Sequence, residues 1–351
     1  MILKTLRLKN FRNHLDKSFE FEEKINMVTG PNGIGKTNIL EAIHFTSTTK
    51  SPRTKYDRDL INYDKSFCFV QTGVLSEGEE NALEVQVIKK GEYENASLKK
   101  AKLNKTPKAI YNFAGQLKTV LFTPESISLI TGSPSKRRRY LDSVLLQTHN
   151  NYKRTLGQYK QAIRQRNKVL ESLNESRFGK FKIDYWDDKI LVLGKYIQET
   201  RGEFSDFLKL HLENKSSLLG ENNSNLVFDY LKNTISKERI DKYKDKEILA
   251  RTTLVGPHRD DFEIRFDNNP IAYFGSRGQQ RTILLALKLV EKNFIEEKTK
   301  VSPILLLDDI FSELDNKHEK AVLDFIKGKQ SIVTSTYKPN LISESNDIIL
   351  E

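Results

Sequence analysis

The sequence predicts an α/β protein in which a mainly helical segment interrupts a mixed β-sheet. Short apolar runs of strand length fill the first hundred residues and return after residue 253. Between residue 135 and about residue 249, apolar residues recur at three- and four-residue intervals among basic and polar ones, which is the spacing of amphipathic helices. A glycine-rich segment at residues 30–37 lies between a strand-like run and a helix-like run. The two ends of the chain should therefore form one α/β unit, with a helical lobe inserted into it.

The N-terminal part is predicted to contain short strands around one helix. Apolar and β-branched residues alternate with polar ones in several short runs, which turn-forming residues separate. The predicted strands cover residues 6–11, 19–21, 25–29, 67–75 and 83–88. A helix is expected after the third strand, because the apolar side chains from Ile39 to Phe45 have helical spacing.

The rest of the chain is predicted to be helical first and α/β afterwards. Helices are expected from residue 135 and over residues 184–219, 230–249 and 279–293, and strands over residues 253–256, 262–266, 304–307 and 331–335. A continuous helix over residues 135–175 would be roughly 60 Å long at about 1.5 Å per residue, so this segment should fold back and form no long coiled coil. We assign residues 1–120 and 297–351 to lobe I, and residues 121–296 to lobe II.

The composition excludes several classes of protein. Among the 351 residues, 58 Lys and Arg outnumber 47 Asp and Glu, and the resulting formal charge of +11 favours a polyanionic partner. No apolar run approaches the roughly 20 residues that span a bilayer. A single cysteine excludes an intramolecular disulfide, and the six scattered histidines favour no zinc site. Since the first residues also lack a secretion signal, we expect a cytoplasmic protein with no membrane partner.

A phosphate-binding loop is the strongest motif in the sequence. Between the third predicted strand and the first predicted helix, the pattern G-x-x-x-x-G-K-[ST] is fitted by Gly30-Pro31-Asn32-Gly33-Ile34-Gly35-Lys36-Thr37. Glycines let the main chain approach phosphate oxygens, and the N-terminus of the following helix favours an anion. Lys36 supplies a fixed positive charge, and the Thr37 hydroxyl is a ligand for Mg²⁺. The sequence therefore predicts a bound nucleotide and Mg²⁺, with Asn38 closing the binding segment; the alternative is a glycine-rich turn before a helix.

Two carboxylates end an apolar strand near the C-terminus. The apolar run at residues 304–307 leads directly into Asp308 and Asp309. A carboxylate at the carboxyl end of a buried strand is expected to hold Mg²⁺, and we assign this role to Asp308. Asp309 should point to the other side of the strand end, where it could orient or deprotonate the attacking water. The alternative interpretation is a turn that only ends the strand.

A third segment predicts the class of nucleotide hydrolase. Ser276-Arg277-Gly278-Gln279 precedes the Asp308 strand in the chain and begins a predicted helix. It is similar to the signature element of ATP-binding-cassette (ABC) proteins, in which the serine hydroxyl, the glycine N–H and the helix N-terminus bind the γ-phosphate held by a second subunit. Residues 312–315 resemble the loop that crosses the dimer interface in those proteins. The motif order predicts an ABC-type ATPase head that binds ATP, forms a head-to-tail homodimer, and uses Lys36, Asp309 and Ser276 in catalysis.

Further motifs make the whole chain resemble the RecF family of bacterial recombination-repair ATPases. They are Leu8-Lys9-Asn10-Phe11-Arg12-Asn13, Phe122-Thr123-Pro124-Glu125, Gly132-Ser133-Pro134, Arg137-Arg138-Arg139-Tyr140-Leu141-Asp142, Gln165-Arg166-Asn167 and Gly256-Pro257-His258-Arg259-Asp260-Asp261. The resemblance implies a protein that binds double-stranded and gapped DNA, clamps it at gaps or stalled forks when two heads close on ATP, and loads recombinase with RecO and RecR. Arg12 and Asn13, at the end of the first predicted strand, are expected to approach the nucleotide.

Departures from the wider ABC pattern predict slow hydrolysis. Asp309 stands where many ABC enzymes have Glu, whose longer side chain reaches the water more easily. Ser335 and Thr336 stand where transporters carry a His that senses the γ-phosphate. The position of a sensing Gln is open, and Gln116 is a candidate that could equally be a surface residue. We therefore expect a weak ATPase; the alternatives are a DNA-junction module in which ATP is only a timer, or another ABC-class ATPase of chromosome maintenance.

The densest basic run is a candidate DNA-binding segment. Lys136-Arg137-Arg138-Arg139 is predicted at a helix start, where the helix dipole does not favour cations. DNA phosphates, an intramolecular partner or solvent could compensate for this charge. We assign Arg137, Arg138 and Arg139 to DNA binding, with Lys160 and Arg164 extending the positive charge along the next helix. No motif that reads bases is evident, so sequence-specific recognition is not expected.

Overall fold

The computed structural model describes residues 1–91, 96–172, 179–218, 226–312, 316–339, 342 and 344–351. The strands are β1 (Ile2–Phe11), β2 (His14–Glu20), β3 (Ile25–Thr29), β4 (Phe67–Ser76), β5 (Glu79–Lys89), β6 (Ser97–Leu103), β7 (Thr106–Lys108), β8 (Thr119–Phe122), β9 (Leu226–Leu231), β10 (Asp261–Phe266), β11 (Asn269–Pro270), β12 (Ile304–Asp308), β13 (Ser331–Ser335) and β14 (Asn346–Ile349). The α-helices are α1 (Lys36–Thr48), α2 (Ile110–Phe113), α3 (Ser128–Thr131), α4 (Pro134–Thr148), α5 (Tyr152–Ser172), α6 (Gly179–Leu218), α7 (Lys237–Ala250), α8 (Ile271–Phe274), α9 (Arg277–Thr299) and α10 (Asn316–Ile326).

The chain divides into two compact units. The first comprises Met1–Ile127 and Arg281–Glu351 with residues 215–218, and the second comprises residues 128–214 and 226–280. As predicted for the lobes, both ends of the chain lie in one unit. The chain returns to this unit at residue 281, whereas the sequence predicts the return at residue 297. This agrees with the position of helix α9, whose Leu285 and Leu289 line one pocket together with Val120 of β8 and Leu305 of β12 in the first unit.

A parallel sheet in the first unit brings the phosphate loop and the Asp308 carboxylate to the same edge. Its strand order is β14-β3-β13-β12-β8. Strands β12 and β13 are buried at every residue, which accounts for their apolar sequences. Thr29 pairs with Ser335, and Asp308 pairs with Thr334. Because parallel strands end at the same edge, the loop after β3 and the carboxylates at the end of β12 lie side by side.

Helix α1 lies in the core between this sheet and a second, antiparallel one. The antiparallel sheet has the order β2-β1-β4-β5-β6-β7, so the mixed sheet predicted for the N-terminal part is divided into two. Apolar side chains of α1 such as Ile39, Ile43 and Phe45 belong to one core cluster with residues of both sheets. The helix that begins at the phosphate loop is thereby fixed on both sides by buried apolar surface.

The second unit is mainly helical. The chain breaks between α4 and α5 at residues 149–151, so the predicted fold-back is confirmed and the described residues contain no long coiled coil. Helix α6 buries a stripe of side chains at spacings of four and seven residues, including Ile190, Ile197, Phe204 and Leu208. Strands β9, β10 and β11 form a small antiparallel sheet in the same unit. None of the described helices is long and apolar enough to cross a membrane.

Two buried arginines bind acidic side chains within the second unit. Arg166 is completely buried, and its guanidinium lies 2.6 Å from Asp187 Oδ1 and 2.6 Å from Glu247 Oε2. Arg201 lies 2.8 Å from Asp142 Oδ1. The partners come from α4, α6 and α7, so these ion pairs join helices that are distant in the sequence.

One predicted element of this unit is wrong, and one predicted helix begins later than expected. Residues 253–256 form no strand, because side chains satisfy the main chain there: the Thr253 N–H donates to Asn167 Oδ1, and the Thr253 carbonyl contacts His258 Nε2. The helix predicted from residue 230 begins only at Lys237, where Ser236 caps its first turn. Residues 230 and 231 belong to β9, where they pair with β10.

Candidate nucleotide-binding site

The phosphate loop connects β3 to α1 in a conformation that requires glycine. Gly33 and Gly35 have φ values of 82° and 110°, in the left-handed region that other residues rarely adopt. Space is also limiting, since a Cβ on Gly35 would lie 2.6 Å from Asn13 Oδ1 and 2.7 Å from His14 Nε2. Helix α1 begins at the next residue, so its free N–H groups face the loop.

Lys36 is directed back over the loop. Its ammonium donates to the carbonyl oxygens of Gly30 at 2.6 Å and of Pro31 at 2.9 Å, and its side chain is buried. These two contacts fix the position of the positive charge above the segment where phosphate oxygens are expected. The lysine therefore provides a preorganised cation for an anion bound in the loop.

The Thr37 hydroxyl and the Asp308 carboxylate are in direct contact. Thr37 Oγ1 donates to Asp308 Oδ1 at 2.9 Å, and Thr334 Oγ1 donates to the same oxygen at 2.6 Å. Burial raises the pKa of Asp308; the hydrogen bonds from Thr334 and Thr37 oppose this, and the neighbouring acids Glu125 and Asp309 add to it. A hydroxyl and a carboxylate with a destabilised negative charge are oxygen ligands of the kind that Mg²⁺ prefers, so these residues fit the ion.

Asp309 lies just beyond the strand in a left-handed conformation. Its φ is 45°, and its N–H is held by the Thr334 carbonyl at 3.0 Å and the Thr334 hydroxyl at 3.1 Å. A left-handed non-glycine residue stores backbone strain, which is tolerated most often at functional sites.

Arg12 and Asn13 occupy different places beside the loop. The Asn13 amide donates to the Ile34 carbonyl at 2.8 Å and accepts from Asn38 Nδ2 at 2.8 Å, so it is part of the loop wall. The Arg12 guanidinium donates to both carboxylate oxygens of Glu41, at 3.0 and 2.7 Å. Arg12 is thus held against α1 by a bidentate ion pair.

Glu41 and Arg53 were missed by the sequence analysis. Glu41 is 1% exposed, and besides Arg12 it accepts from Ser51 Oγ at 2.5 Å and lies 3.4 Å from Arg53 Nη1. Arg53 also donates to Asn38 Oδ1 at 2.8 Å. The sequence does contain a signal for this cluster, namely a single acidic residue within the apolar run 39–43 of α1. A carboxylate buried there requires charged or polar partners.

The signature segment forms a capping box at the start of α9. The Gln279 N–H donates to Ser276 Oγ at 3.2 Å, and the Ser276 N–H donates to Gln279 Oε1 at 2.9 Å. The pattern S-x-x-Q is typical of such a cap. The oxygen of the Ser276 hydroxyl accepts in the cap, while its hydrogen can still be donated to an acceptor such as a phosphate. Ser276, Arg277 and Gly278 are exposed.

Comparison with known proteins identifies the family. The sequence matches the RecF/RecN/SMC N-terminal domain over residues 2–349. It is 37% identical over 342 residues to the DNA replication and repair protein RecF of Lactococcus lactis subsp. lactis, covering 96% of this chain and 93% of that protein. The chain belongs to the RecF family. A RecF from Acetivibrio thermocellus is 35% identical over 353 residues and is covered to 94%.

Solved RecF structures have the same fold over the whole chain. The recombination mediator protein RecF-ATPrS of the RecFOR pathway superposes with a TM-score of 0.88 at 30% identity, covering 100% of this chain and 97% of that one. RecF-ATP of the same pathway gives a TM-score of 0.87 at 31% identity, covering 96% of this chain and 92% of that one. An Smc head bound to the C-winged helix domain of ScpA shares the fold alone, with a TM-score of 0.52 at 16% identity over 96% of this chain and 90% of that one. The fold predicted from the sequence, an ABC-type head with an inserted helical lobe, is confirmed.

Gln116 lies away from the candidate nucleotide-binding site. It precedes β8, whose amino end pairs with the amino end of β12, whereas the phosphate loop lies at the carboxyl edge of the sheet. Its exposed side chain donates to the Asn112 carbonyl at 3.1 Å. The alternative that Gln116 is a surface residue is therefore correct. Ser335, in contrast, ends β13 at the site edge. Of the loop predicted at residues 312–315, residues 313–315 lie outside the described residues.

The basic run of this RecF-family chain has partners inside the second unit. Arg137 makes a bidentate contact with Asp261, at 2.6 and 2.8 Å, and donates to the Gly132 carbonyl. Arg138 donates to the Asp260 carbonyl at 2.8 Å. The Arg139 side chain donates to the Ser135 carbonyl at 3.4 Å. The intramolecular alternative therefore describes the contacts of Arg137 and Arg138.

Proposed function

We propose that this chain is an ATP-dependent DNA-binding repair protein that hydrolyses ATP slowly. The observation that carries the proposal is the 2.9 Å hydrogen bond between Thr37 and Asp308, which joins the phosphate loop to the carboxylate strand across 271 positions of sequence. The RecF-ATP structure, similar over 96% of this chain, supports ATP as the nucleotide.

ATP binding is assigned to the loop and its wall. Residues 30–38 surround the phosphates, Lys36 supplies positive charge, and Arg12 and Asn13 border the nucleotide. Mg²⁺ would be held by Thr37 and Asp308, and when bound it neutralises phosphate charge during transfer. Asp309 orients the attacking water as general base. Its carboxylate is one methylene shorter than the Glu of faster ABC enzymes, which supports a weak ATPase.

We infer that hydrolysis requires a second copy of the chain. Ser276, Arg277 and Gly278 are exposed and Gln279 is partly buried at the start of α9, where the Ser276 hydroxyl and the N–H groups of the first turn can meet a γ-phosphate. A head-to-tail homodimer would bring this segment to the ATP bound by its partner. Closing two such heads would double a formal charge of +11 around one DNA duplex.

DNA contact is assigned mainly to α5 and only in part to the basic run. Arg137 and Arg138 already have acceptors in their own unit, so we regard them as architectural, and Arg139 remains a candidate contact. Lys160 and Arg164 are exposed on α5, and Lys160 lies at 3.8 Å from Asp142. The partners proposed are double-stranded and gapped DNA, together with RecO and RecR, for which the RecFOR relatives provide the support.

Sedimentation velocity tests the proposal. In Asp309→Asn protein, which should bind ATP without hydrolysing it, saturating ATP and Mg²⁺ are expected to produce a dimer. Ser276→Arg should prevent the dimer, while Asn269→Arg, at an exposed position of β11 in the same unit, should not. A protein that stays monomeric with ATP bound would show that the two-head mechanism is wrong.

Asp309 also favours a second candidate, a DNA-junction module in which ATP acts only as a timer. The two candidates differ in turnover. A DNA-stimulated rate well above about 1 s⁻¹, which is at the low end of common enzyme rates, would exclude the timer. A rate far below this value, with DNA release tied to each hydrolysis event, would favour it.

A further inference from the structure

Two exposed aromatic side chains directly precede the signature segment. Tyr273 is 83% exposed and Phe274 is 72% exposed, although both belong to the short helix α8, whose Ile271 is buried. Phenylalanine is among the residues most often buried, so an adjacent exposed aromatic pair indicates a contact surface. Phe274 lies two positions before Ser276, the residue assigned to the partner's γ-phosphate.

The local structure holds this pair in a fixed position relative to Ser276. The Gln280 amide donates to the carbonyls of Ile271 at 3.1 Å and Gly275 at 3.3 Å, and the Gly275 N–H donates to the Ile271 carbonyl at 3.1 Å. A Cβ on Gly275 would lie 2.6 Å from Ile271 Cδ1, so the connection between α8 and α9 has no room for a side chain. Helix α8 and the capped first turn of α9 therefore form one ordered piece.

Such an arrangement suits a preformed binding surface. Ordering a flexible side chain on association costs roughly 0.5–1.5 kcal/mol, and an aromatic ring has only two rotatable bonds to fix. Large aromatic residues are enriched among those that dominate interface affinity. The pair meets this description because its backbone is already fixed by Gln280 and Gly275.

We propose that Tyr273 and Phe274 pack on the phosphate loop of a second copy of this chain. The proposal rests on the proposed function, because it takes Ser276 to face the ATP of the partner. Any surface that Ser276 contacts on that copy lies within reach of Phe274. The outer residues of the loop, 31–33, are exposed and include Pro31, whose ring is an apolar partner for an aromatic side chain. Charge is also complementary, since exposed Arg277 would approach the edge that carries Glu125 and Asp309.

A double variant tests the pair. In the Asp309→Asn protein, Tyr273→Ser with Phe274→Ser is expected to raise the dissociation constant of the ATP-bound dimer by about 10- to 100-fold, the effect of removing central aromatic side chains from an interface. ATP affinity of the monomer should not change, since the residues assigned to ATP within one chain lie in the first unit. Leu249→Ser is the matched control, because Leu249 is 87% exposed in the same unit, and it should leave dimerisation unchanged.

The outcomes separate this inference from the proposed function. If the parent protein does not dimerise with ATP, the proposed function fails and this inference fails with it. If the parent dimerises and the double variant does so with the same dissociation constant, only this inference fails. Loss of DNA binding with an unchanged dimer would assign the pair to DNA and overturn the proposal.

Cross-linking covers the case in which the double variant does not fold. The photoreactive p-benzoylphenylalanine placed at Phe274 preserves an aromatic side chain at the exposed position. Irradiation with ATP and Mg²⁺ is expected to yield covalent dimers in which the attached peptide contains residues 30–34 of the other copy. Covalent dimers joined elsewhere, or none from a protein that sediments as a dimer, would overturn the proposal.

Discussion

Two buried carboxylates, Asp308 in the first unit and Asp142 in the second, have opposite electrostatic environments. Burial opposes ionisation of both. At Asp142, Arg201 at 2.8 Å and Lys160 at 3.8 Å outweigh burial, and its pKa is lowered. At Asp308, the hydrogen bonds from Thr37 and Thr334 do not outweigh burial, and its pKa is raised.

This difference distinguishes a buried carboxylate that stabilises the fold from one that is suited to bind a cation. A buried charge paired within the protein joins elements together, and removing one partner leaves the other uncompensated. A buried carboxylate whose charge the protein does not neutralise gains most from a cation that arrives from solution. The same distinction separates Arg166, which is held by two acids, from Lys36, which among the described residues is held by carbonyl oxygens.

The largest expected effect is on stability and concerns the second unit. Arg166→Met should lower the free energy of unfolding by about 3–5 kcal/mol, because Glu247 is completely buried and would lose its cationic partner. Urea unfolding followed by circular dichroism measures this change. Arg154→Met, at an exposed position of the same helix, is the control. If the free energy of unfolding fell by less than about 1 kcal/mol, the ion pair would not be a main contribution to the stability of this unit.

Lys36→Ala should weaken ATP binding strongly and change stability little, the opposite of Arg166→Met. ATP affinity is expected to fall about 100-fold or more, since a charge-assisted contact with phosphate is worth about 3 kcal/mol. Stability should change little, because the ammonium contacts only carbonyls of its own loop. Isothermal titration calorimetry gives the affinity, with Lys17→Ala as a control on exposed β2. Tight ATP binding by Lys36→Ala would contradict the assignment of the loop.

Replacing each buried carboxylate by its amide tests the comparison directly. Asp142→Asn should lower the free energy of unfolding at pH 7 by about 1–3 kcal/mol, whereas Asp308→Asn should leave it unchanged or raise it by up to about 1 kcal/mol. Asp308→Asn should nevertheless abolish Mg²⁺-dependent hydrolysis. Urea unfolding without nucleotide and a phosphate-release assay measure the two effects. Equal destabilisation by both variants would remove the distinction between the sites.

The pH dependence of the Asp142 effect has a defined sign. A carboxylate with a lowered folded pKa stabilises the protein above its unfolded value, near 3.8, and loses this contribution as the pH falls through the folded pKa. The stability difference between the parent and Asp142→Asn should therefore be constant above about pH 5 and shrink below pH 3.8. A difference that grows on acidification would contradict the lowered pKa.

The smallest effect is expected in DNA binding. Lys160→Ala with Arg164→Ala should reduce the slope of log affinity against log salt by about 0.9 for each phosphate of duplex DNA that the variant no longer neutralises. Arg137→Ala should instead reduce stability and leave the slope unchanged, because its bidentate partner is Asp261. Filter binding at several salt concentrations distinguishes the two. If Arg137→Ala reduced the slope while the protein stayed stable, the basic run would be shown to contact DNA.

Sequence reasoning succeeded where the signal is local. The phosphate loop and the Asp308 strand each combine a short pattern with its neighbouring strand, and the structure places both at the predicted ends of β3 and β12. The predicted RecF family is likewise confirmed by relatives that cover nearly the whole chain. The roles of these residues in catalysis stay predictions.

Two of the features that sequence reasoning did not find depend on partners that are distant in the sequence. Arg137 is predicted to bind DNA because it belongs to the densest basic run, and its acceptor Asp261 lies 124 positions away, where the run itself gives no sign of it. The strand predicted at residues 253–256 was wrong because Asn167 and His258 supply the contacts that a neighbouring strand would have supplied. Glu41 and the capping box of Ser276 were local and could have been found, the first as an acid in an apolar run and the second as S-x-x-Q.

The position of β3 has a consequence for how the protein is made. Both neighbours of this strand, β13 and β14, come from residues 331–349, at the far end of the chain. During synthesis the phosphate loop emerges early, but the strand that supports it finds no neighbour in its sheet until residues 331–349 have been translated. Contacts between residues this distant in sequence form slowly. A chain cut short before residue 331 would contain every residue of the loop and lack both strands that pair with β3, so we expect it to lose nucleotide binding.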